Sequence, residues 1–329
     1  MINNNFTKNI CTLNSFKLDY GKVLKDIDVE YATSGIPKYD DEGYIINAII
    51  YCPTYKGSYS VLQGAHDYLK NNGKFNKDDF FFIIITPLGS PNSFSPSNSG
   101  LMSDFPQYNY IDIVNFKRQF LNENFKIKKI FGILGEGTSG FEVFTWACEY
   151  PDDMDFILIL NSDFKISGYR YIISKGFEAI IESNEDYYKN QYSVSITNAI
   201  NAINTFLFAQ TFSEKVINNL SADEIEAFLD DFVDEGLSVD IYNTNFRNNA
   251  NLSYNVEDKL SNIKAKTLII TSDDSVYFNS PLDVDVLKEN ISDLKVLSYK
   301  SQKENYYDEE DYSLVGEEVI TFLNECLRL

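Results

Sequence analysis

Short runs of consecutive apolar residues recur along the chain, and each run predicts a buried β-strand. The five clearest runs span Asn47–Cys52, Phe80–Thr86, Lys129–Leu134, Phe156–Asn161 and Thr267–Thr271. A sixth segment, Leu294–Tyr299, alternates more and is typical of a sheet edge. Because strands that are apolar on both faces occur in parallel sheets covered on both sides, the runs favour a parallel sheet. Near the N-terminus, Lys17–Thr33 is predicted to form a short antiparallel hairpin.

Between these runs, apolar residues recur at the three- and four-residue spacing of a helix. The segments Ile111–Leu121 and Phe141–Glu149 follow this pattern. The last segment places Val315, Val319 and Phe322 on one face. Strands that alternate with helices predict the α/β class with a mostly parallel, doubly wound sheet.

The pattern changes between about Lys165 and Asn255, where strand-like runs are missing. Helical stretches replace them at Tyr171–Ser183, Ile196–Phe212 and Ala222–Asp234, the last preceded by a capping box from Ser221 to Glu224. We therefore predict one α/β core formed by residues 1–164 and 256–329, interrupted by a helical insertion at 165–255.

Charge excludes two classes of partner. The sequence has 28 Lys+Arg and 49 Asp+Glu, a net charge of −21, and a pI near 4.4. Phosphate contacts and anionic membranes both require basic surfaces, so we expect neither nucleic acid nor a membrane as a partner. The first residues lack the apolar stretch of a signal peptide, and the four cysteines are far apart in the sequence. These features predict a cytoplasmic protein with reduced thiols.

The sequence contains one histidine, His66, which excludes mechanisms that need several imidazoles. His66 lies on a predicted helix, Val61–Leu69, and is interpreted as a structural residue.

A glycine-rich turn follows the third predicted strand, in the segment Ile130–Phe141. Gly135, Gly137 and Gly140 match the G-x-G-x-x-G pattern of dinucleotide-binding turns, which sit between a strand and a helix as here. Asp163 ends the next strand but lies 28 residues after Gly135, further than the usual spacing of about 20. Glu136 would also put a negative charge beside a pyrophosphate. Dinucleotide binding is thus one hypothesis for this turn.

A second hypothesis is the nucleophile elbow, in which a serine occupies a sharp turn between strand and helix. The wider chain favours it. The matching pieces are Thr86–Asn98, Asp104–Pro106, Asp112, Tyr31–Gly35, Asn47–Cys52, Trp146–Pro151 and Ile263–Leu268. Together they resemble the homoserine O-acetyltransferase family over roughly residues 16–326. The resemblance implies an α/β-hydrolase fold with a helical lid.

The family's elbow reads G-G-S-M-G-G, and the resemblance puts its serine position on Gly137, which has no side chain to carry an acyl group. The neighbouring hydroxyls, Thr138 and Ser139, are predicted to cap the following helix. The family's histidine position falls on Asn305, which cannot act as a general base near neutral pH. The acid position falls on Asp274 in preference to Asp273.

By the same resemblance, backbone N–H groups of Tyr55 and Thr138 correspond to the oxyanion hole, and backbone donors survive side-chain replacement. A metal site at Asp273 and Asp274 would lack a third identifiable ligand. We therefore expect no metal and no cofactor.

These residues predict a protein without serine-type catalysis, retained for assembly or for binding a small acyl or amino-acid ligand. The resemblance also implies a homodimer formed through the lid. Two alternatives stay open: an active acyltransferase or esterase that uses Thr138 or Ser139, and a dinucleotide-binding protein.

Overall fold

The computed structural model describes residues 7–53, 79–91, 93–209, 214–236, 239–272, 281–299 and 309–327. An eight-stranded sheet has the order β1-β2-β4-β3-β5-β6-β7-β8. Its strands are β1 Thr7–Lys17, β2 Val23–Gly35, β3 Ala48–Cys52, β4 Phe81–Ile85, β5 Ile130–Glu136, β6 Met154–Leu160, β7 Lys266–Ser272 and β8 Leu294–Tyr299. β2 pairs antiparallel with β1 and β4, and the other pairs are parallel. The predicted α/β class with a mostly parallel sheet is confirmed.

The central strands are buried because helices cover both sheet faces. Every residue of β3 and β4 is buried. Successive side chains of a strand point to opposite faces, so Ile83 and Ile84 of β4 enter two different apolar clusters. Phe322, near the C-terminus, packs into the cluster that holds Ile84. The continuous apolar runs in the sequence reflect this two-sided burial.

The N-terminal hairpin is longer than predicted. It begins at Thr7 instead of Lys17, and β1 and β2 pair in register from Thr7 opposite Thr33. β1 buries two of its residues, Leu13 and Phe16, while Ile10 is 68% exposed. The prediction of a short hairpin was wrong in extent because a strand buried on one side gives a sparse apolar signal.

The helices are α1 Tyr110–Asn124, α2 Thr138–Glu149, α3 Gly168–Glu182, α4 Glu185–Tyr188, α5 Val194–Phe208, α6 Glu214–Ile217, α7 Ala222–Gly236, α8 Ile241–Leu252, α9 Pro281–Asn290 and α10 Glu309–Cys326, with 3₁₀ helices at Met102–Asp104 and Glu257–Asn262. The predicted capping box before α7 is confirmed: Ser221 N donates to Glu224 Oε2 at 2.8 Å, and Glu224 N donates to Ser221 Oγ at 3.3 Å. None of the described helices is long and apolar enough to cross a bilayer.

Helices α3 to α8 lie between β6 and β7 in the chain and have their own apolar cluster, which includes Phe177, Ile203 and Tyr242. Two neighbouring segments connect this layer, the lid, to the sheet. Val256 N donates to Phe164 O at 2.9 Å, and Ile166 N donates to Tyr254 O at 3.2 Å. We call these paired segments, residues 163–167 and 253–257, the lid stalk.

Candidate active site

The turn between β5 and α2 has the geometry of an elbow. β5 ends at Glu136, Gly137 has φ 56° and ψ −128°, and α2 begins at Thr138. Gly137 N donates to Leu160 O at 3.0 Å, which fixes the turn against β6. A positive φ with this ψ is accessible to glycine without strain. The turn therefore lies at the carboxyl edge of the parallel strands, where ligands of open α/β sheets bind.

The other two glycines of the pattern allow close packing of strand and helix. A Cβ on Gly135 would lie 2.6 Å from Val143 Cγ2 and 2.7 Å from Ser139 O. A Cβ on Gly140 would lie 2.3 Å from Ser162 Oγ. Packing thus accounts for both glycines without a bound nucleotide, and the dinucleotide hypothesis stays a prediction.

The two hydroxyls beside the elbow differ in access. Ser139 is completely buried, and its Oγ accepts from Glu136 N at 2.8 Å and donates to Glu136 O at 2.7 Å. Thr138, the first residue of α2, is partly exposed. Ser139 could attack a substrate only after breaking both hydrogen bonds. Thr138 is partly exposed, so burial does not block its hydroxyl in the same way.

Glu136 is a titratable group beside the elbow that the sequence did not single out as functional. Burial raises the pKa of its carboxyl to about 7, although the residue keeps partial exposure. Perturbed carboxyls in ligand-binding edges are candidates for functional groups. The feature of the sequence that could have pointed to Glu136 is an acidic residue between two glycines of the turn.

Tyr110 links the elbow to the lid. Its hydroxyl lies 2.7 Å from Asn251 Oδ1 in α8 and 3.2 Å from Thr138 O. The guanidinium carbon of Arg247 lies 5.4 Å from the centre of the Tyr110 ring. Burial raises the pKa of Tyr110 to about 12, and the positive charge of Arg247 opposes this rise.

Two lid arginines bring positive charge toward the elbow. Arg247 is 3% exposed and Arg170 is 8% exposed, and the charges of both lower the pKa of Tyr110. Guanidinium groups recognise carboxylates and other planar anions with paired hydrogen bonds. Neither residue was singled out from the sequence, although they are two of only four arginines in the chain; both lie in helices of the lid.

The structure places Gly137, Thr138 and Ser139 together at the elbow. The other residues singled out from the sequence, Tyr55, His66, Asp273, Asp274 and Asn305, lie outside the described residues. The predicted roles of these five stay predictions. The prediction that Thr138 and Ser139 cap the helix was wrong, because Gly137 is the N-cap residue of α2 and no side chain caps this helix; Ser139 Oγ instead bonds the backbone of Glu136.

Comparison with known proteins identifies the family. The chain is 31% identical over 290 residues to a probable acyltransferase of Methanothermobacter thermautotrophicus, covering 88% of this chain and 89% of the relative. It belongs to this acyltransferase family. A homoserine O-acetyltransferase of Pasteurella multocida is 25% identical over 198 residues, which are 54% of this chain and 53% of the relative. No protein-family model matches the chain.

The family assignment agrees with the fold. An acetylester hydrolase from Corynebacterium glutamicum superposes with a TM-score of 0.83 and 18% identity, covering 97% of this chain and 96% of that structure. The α/β-hydrolase fold and the resemblance to the homoserine O-acetyltransferase family, both expected from the sequence, are confirmed.

Proposed function

We propose that this acyltransferase-family chain binds a small acyl or amino-acid ligand at the elbow and does not perform serine-type acyl transfer. The observation that carries the proposal is Gly137 at the apex of the turn, where a hydrogen replaces any attacking side chain. Ser139, the nearest serine, is buried and holds two backbone hydrogen bonds. Loss of triad members leaves a serine hydrolase with only about 10³–10⁴-fold acceleration over water.

Covalent labelling tests whether the hydroxyls at the elbow perform serine-type acyl transfer. The full chain is incubated with a fluorophosphonate and, separately, with p-nitrophenyl acetate, and peptides covering residues 130–150 are analysed by mass spectrometry. We expect no adduct on Thr138 or Ser139 and hydrolysis no faster than that of the Gly137→Ala variant. A stoichiometric adduct on either hydroxyl would refute the proposal.

Ligand binding has a separate test. L-Homoserine and O-acetyl-L-homoserine serve as probes in calorimetry and thermal shift, where ligand at 100 times Kd stabilises by about 2.7 kcal/mol. Because Arg170 supplies positive charge near the elbow, Arg170→Met should weaken binding about tenfold or more, since charge-assisted hydrogen bonds contribute roughly 1.5–3 kcal/mol. Lys175→Met, on an exposed position of the same helix, is the matched control. Equal affinities in the two variants would exclude a ligand contact for Arg170.

An active acyltransferase or esterase is the second candidate, and one observation favours it. Thr138 is partly exposed and lies two residues from the Glu136 carboxyl, whose pKa of about 7 suits a general base. In this scheme the Thr138 hydroxyl attacks the acyl carbon of an ester while its proton passes to Glu136. As the ester bond breaks and acyl-threonine forms, Glu136 returns the proton to the departing alcohol. Thr138→Val should then abolish activity, and Thr205→Val, on the exposed face of α5, should leave it unchanged.

We also propose a homodimer formed through the lid. Large apolar side chains are exposed there: Val194 is 78% exposed, Tyr169 68% and Ile172 65%. Val194 lines an open groove of about 580 Å³ together with Tyr192 and Ile200. Apolar patches of this kind are typical of protein interfaces. Size-exclusion chromatography with light scattering should give twice the chain mass, and Val194→Glu should give the monomer. A monomeric wild type would refute the dimer.

The compartment we propose is the cytoplasm. All four cysteines are free thiols, and Cys52, Cys148 and Cys326 are buried. Disulfides form and persist in oxidising compartments, so free thiols suit a reducing one. Fractionation of cells that express the tagged full chain tests this, and recovery with exported markers would contradict it.

A further inference from the structure

The segment that leaves β6 touches the elbow on both sides of one residue, Asn161. The preceding residue, Leu160, accepts a hydrogen bond at its backbone oxygen from Gly137 N at 3.0 Å. The following residue, Ser162, packs so closely on the first turn of α2 that a Cβ on Gly140 would lie 2.3 Å from Ser162 Cβ. The backbone conformation of Asn161 therefore sets how these two contacts lie relative to one another.

Asn161 has a left-handed backbone, with φ 42°, and is 1% exposed. Asparagine adopts this conformation more readily than most residues with a side chain, but the conformation still costs energy, so surrounding contacts must hold it. The Asn161 N–H donates to Ile270 O in β7 at 2.8 Å, and Nδ2 donates to the hydroxyl of Tyr299, at the end of β8, at 3.3 Å. Two strands thus hold Asn161 from the side opposite β5 and the elbow.

A left-handed turn is needed where the chain leaves the sheet for the lid stalk, and a glycine would supply it without strain. A glycine would also leave the turn free to adopt other conformations. Asn161, with its side-chain amide bonded to Tyr299, instead supports one conformation. Strained residues that the surrounding structure holds in place are typical of active sites and ligand-binding loops.

We infer that Asn161 is a positioning residue for the elbow: its left-handed backbone and its bond to Tyr299 fix the end of β6 against the first turn of α2. Through this contact it holds the Thr138 N–H, the donor expected to face a ligand. The effect on a ligand rests on the function proposed above, whereas the effect on the elbow does not.

Amide exchange of the full chain, followed by NMR, measures the positioning without a ligand. The Gly137 amide reports on the elbow, and the Ile130 amide, bonded to Asp153 O at the opposite end of β5, is the internal reference. Asn161→Ala loses the side-chain bond and strains the backbone, so the protection of Gly137 relative to Ile130 should fall about tenfold or more. Asn161→Gly accepts the positive φ and should lose less. Tyr299→Phe removes only the acceptor of the bond and should also lose less.

Asn190→Ala is the matched control. Asn190 also has a positive φ, 54°, and its Oδ1 accepts from Ser103 N at 3.0 Å, but it lies in the lid. The control loses the same two features, so its ratio of Gly137 to Ile130 protection should equal that of the wild type.

Two outcomes for Asn161→Ala would overturn the positioning role. One is a ratio unchanged from the wild type. The other is an equal loss of protection at Gly137 and Ile130, which is what a contribution to global stability alone predicts. If Asn161→Ala does not fold, Asn161→Gly and Tyr299→Phe replace it, and an unchanged ratio in both overturns the role equally.

Calorimetry with O-acetyl-L-homoserine separates this role from the proposed function. Asn161→Ala should bind about tenfold more weakly than the wild type, and Asn161→Gly should recover part of the loss. Equal affinities of the wild type and Asn161→Ala would show that Asn161 does not position the ligand site. A wild type without affinity would refute the proposed ligand and leave the exchange result standing.

Discussion

The hydroxyl of Tyr110 lies 2.7 Å from the side-chain oxygen of Asn251, and this contact joins the core helix α1 to the lid helix α8. The same hydroxyl is 3.2 Å from the backbone oxygen of Thr138, the first residue after the elbow. Tyr110 and Asn251 are 3% and 4% exposed. A single buried phenol therefore ties the position of the lid to the turn that would hold a ligand.

Tyr110→Phe should destabilise the chain by about 1–3 kcal/mol, because the buried oxygen of Asn251 loses its donor. Urea denaturation of Tyr110→Phe, Asn251→Ala and the double variant gives the coupling energy of the pair. We expect the double variant to cost less than the two single changes together. Strict additivity would show that the contact contributes nothing.

Lys117 of α1 and Glu142 of α2 form an ion pair, and both side chains are completely buried. Breaking a buried pair leaves an uncompensated charge, so Lys117→Met should cost about 3–5 kcal/mol. The double variant Lys117→Met/Glu142→Met should recover most of that loss, since apolar replacement of both partners is often neutral. Denaturant midpoints measure both effects.

The exposed pair Lys295–Glu318 is the control for this experiment, because its side chains are 44% and 45% exposed. Its single variants should change stability by no more than about 1 kcal/mol. If Lys117→Met/Glu142→Met proves as unstable as Lys117→Met alone, the expected recovery of stability is contradicted.

Glu136→Gln should make stability less dependent on pH. Burial raises the pKa of Glu136 to about 7, above the usual value of 4.5, so the folded state retains a proton between these values. The wild type therefore loses stability as pH rises from about 4.5 to 7, and the variant does not share this loss. At pH 8 we expect the variant to be more stable by up to about 3 kcal/mol.

Thermal or urea unfolding from pH 4 to 8 checks this, with Glu317→Gln, at an exposed position, as the control. The control should follow the wild type at every pH. A parallel pH dependence in Glu136→Gln and wild type would mean that Glu136 titrates normally.

Thiol labelling should distinguish Cys11 from the other cysteines. Burial raises the pKa of the Cys148 and Cys326 thiols to about 12 and also raises that of Cys52. Thiolates are the reactive form, and Cys11 is the cysteine with partial exposure. Under native conditions we expect rapid modification by a disulfide reagent at Cys11 and slow modification at the buried three. Mass spectrometry locates the label, and fast labelling of Cys52 would contradict its burial.

Much of the fold followed from local patterns. The strands β3 to β7 were predictable because burial on both faces produces continuous apolar runs. β8 was predictable from the alternation of an edge strand, and it is only partly buried. The capping box at Ser221 marked the start of α7. The hairpin was predicted too short because one-sided burial leaves polar residues such as Thr12 between its apolar ones.

The residues of the candidate site were predictable from the sequence to different degrees. Gly137 at the turn was predicted because the glycine-rich segment lies between a strand and a helix, and its positive φ is a local property that glycine adopts readily. Glu136 was visible in the sequence, but its raised pKa depends on how deeply neighbouring segments bury it. Arg170 and Arg247 were missed because no local pattern tells which helical arginine will face the elbow.

The sequence by itself determined the class of fold, the family and the absence of a side chain at the turn apex, since these depend on residue type and on neighbours close in the chain. Tertiary structure decided which groups meet: Tyr110 with Asn251, and Lys117 with Glu142. The partners in each pair are far apart in the sequence. Their energies depend on distance and burial, which arise only when the layers pack.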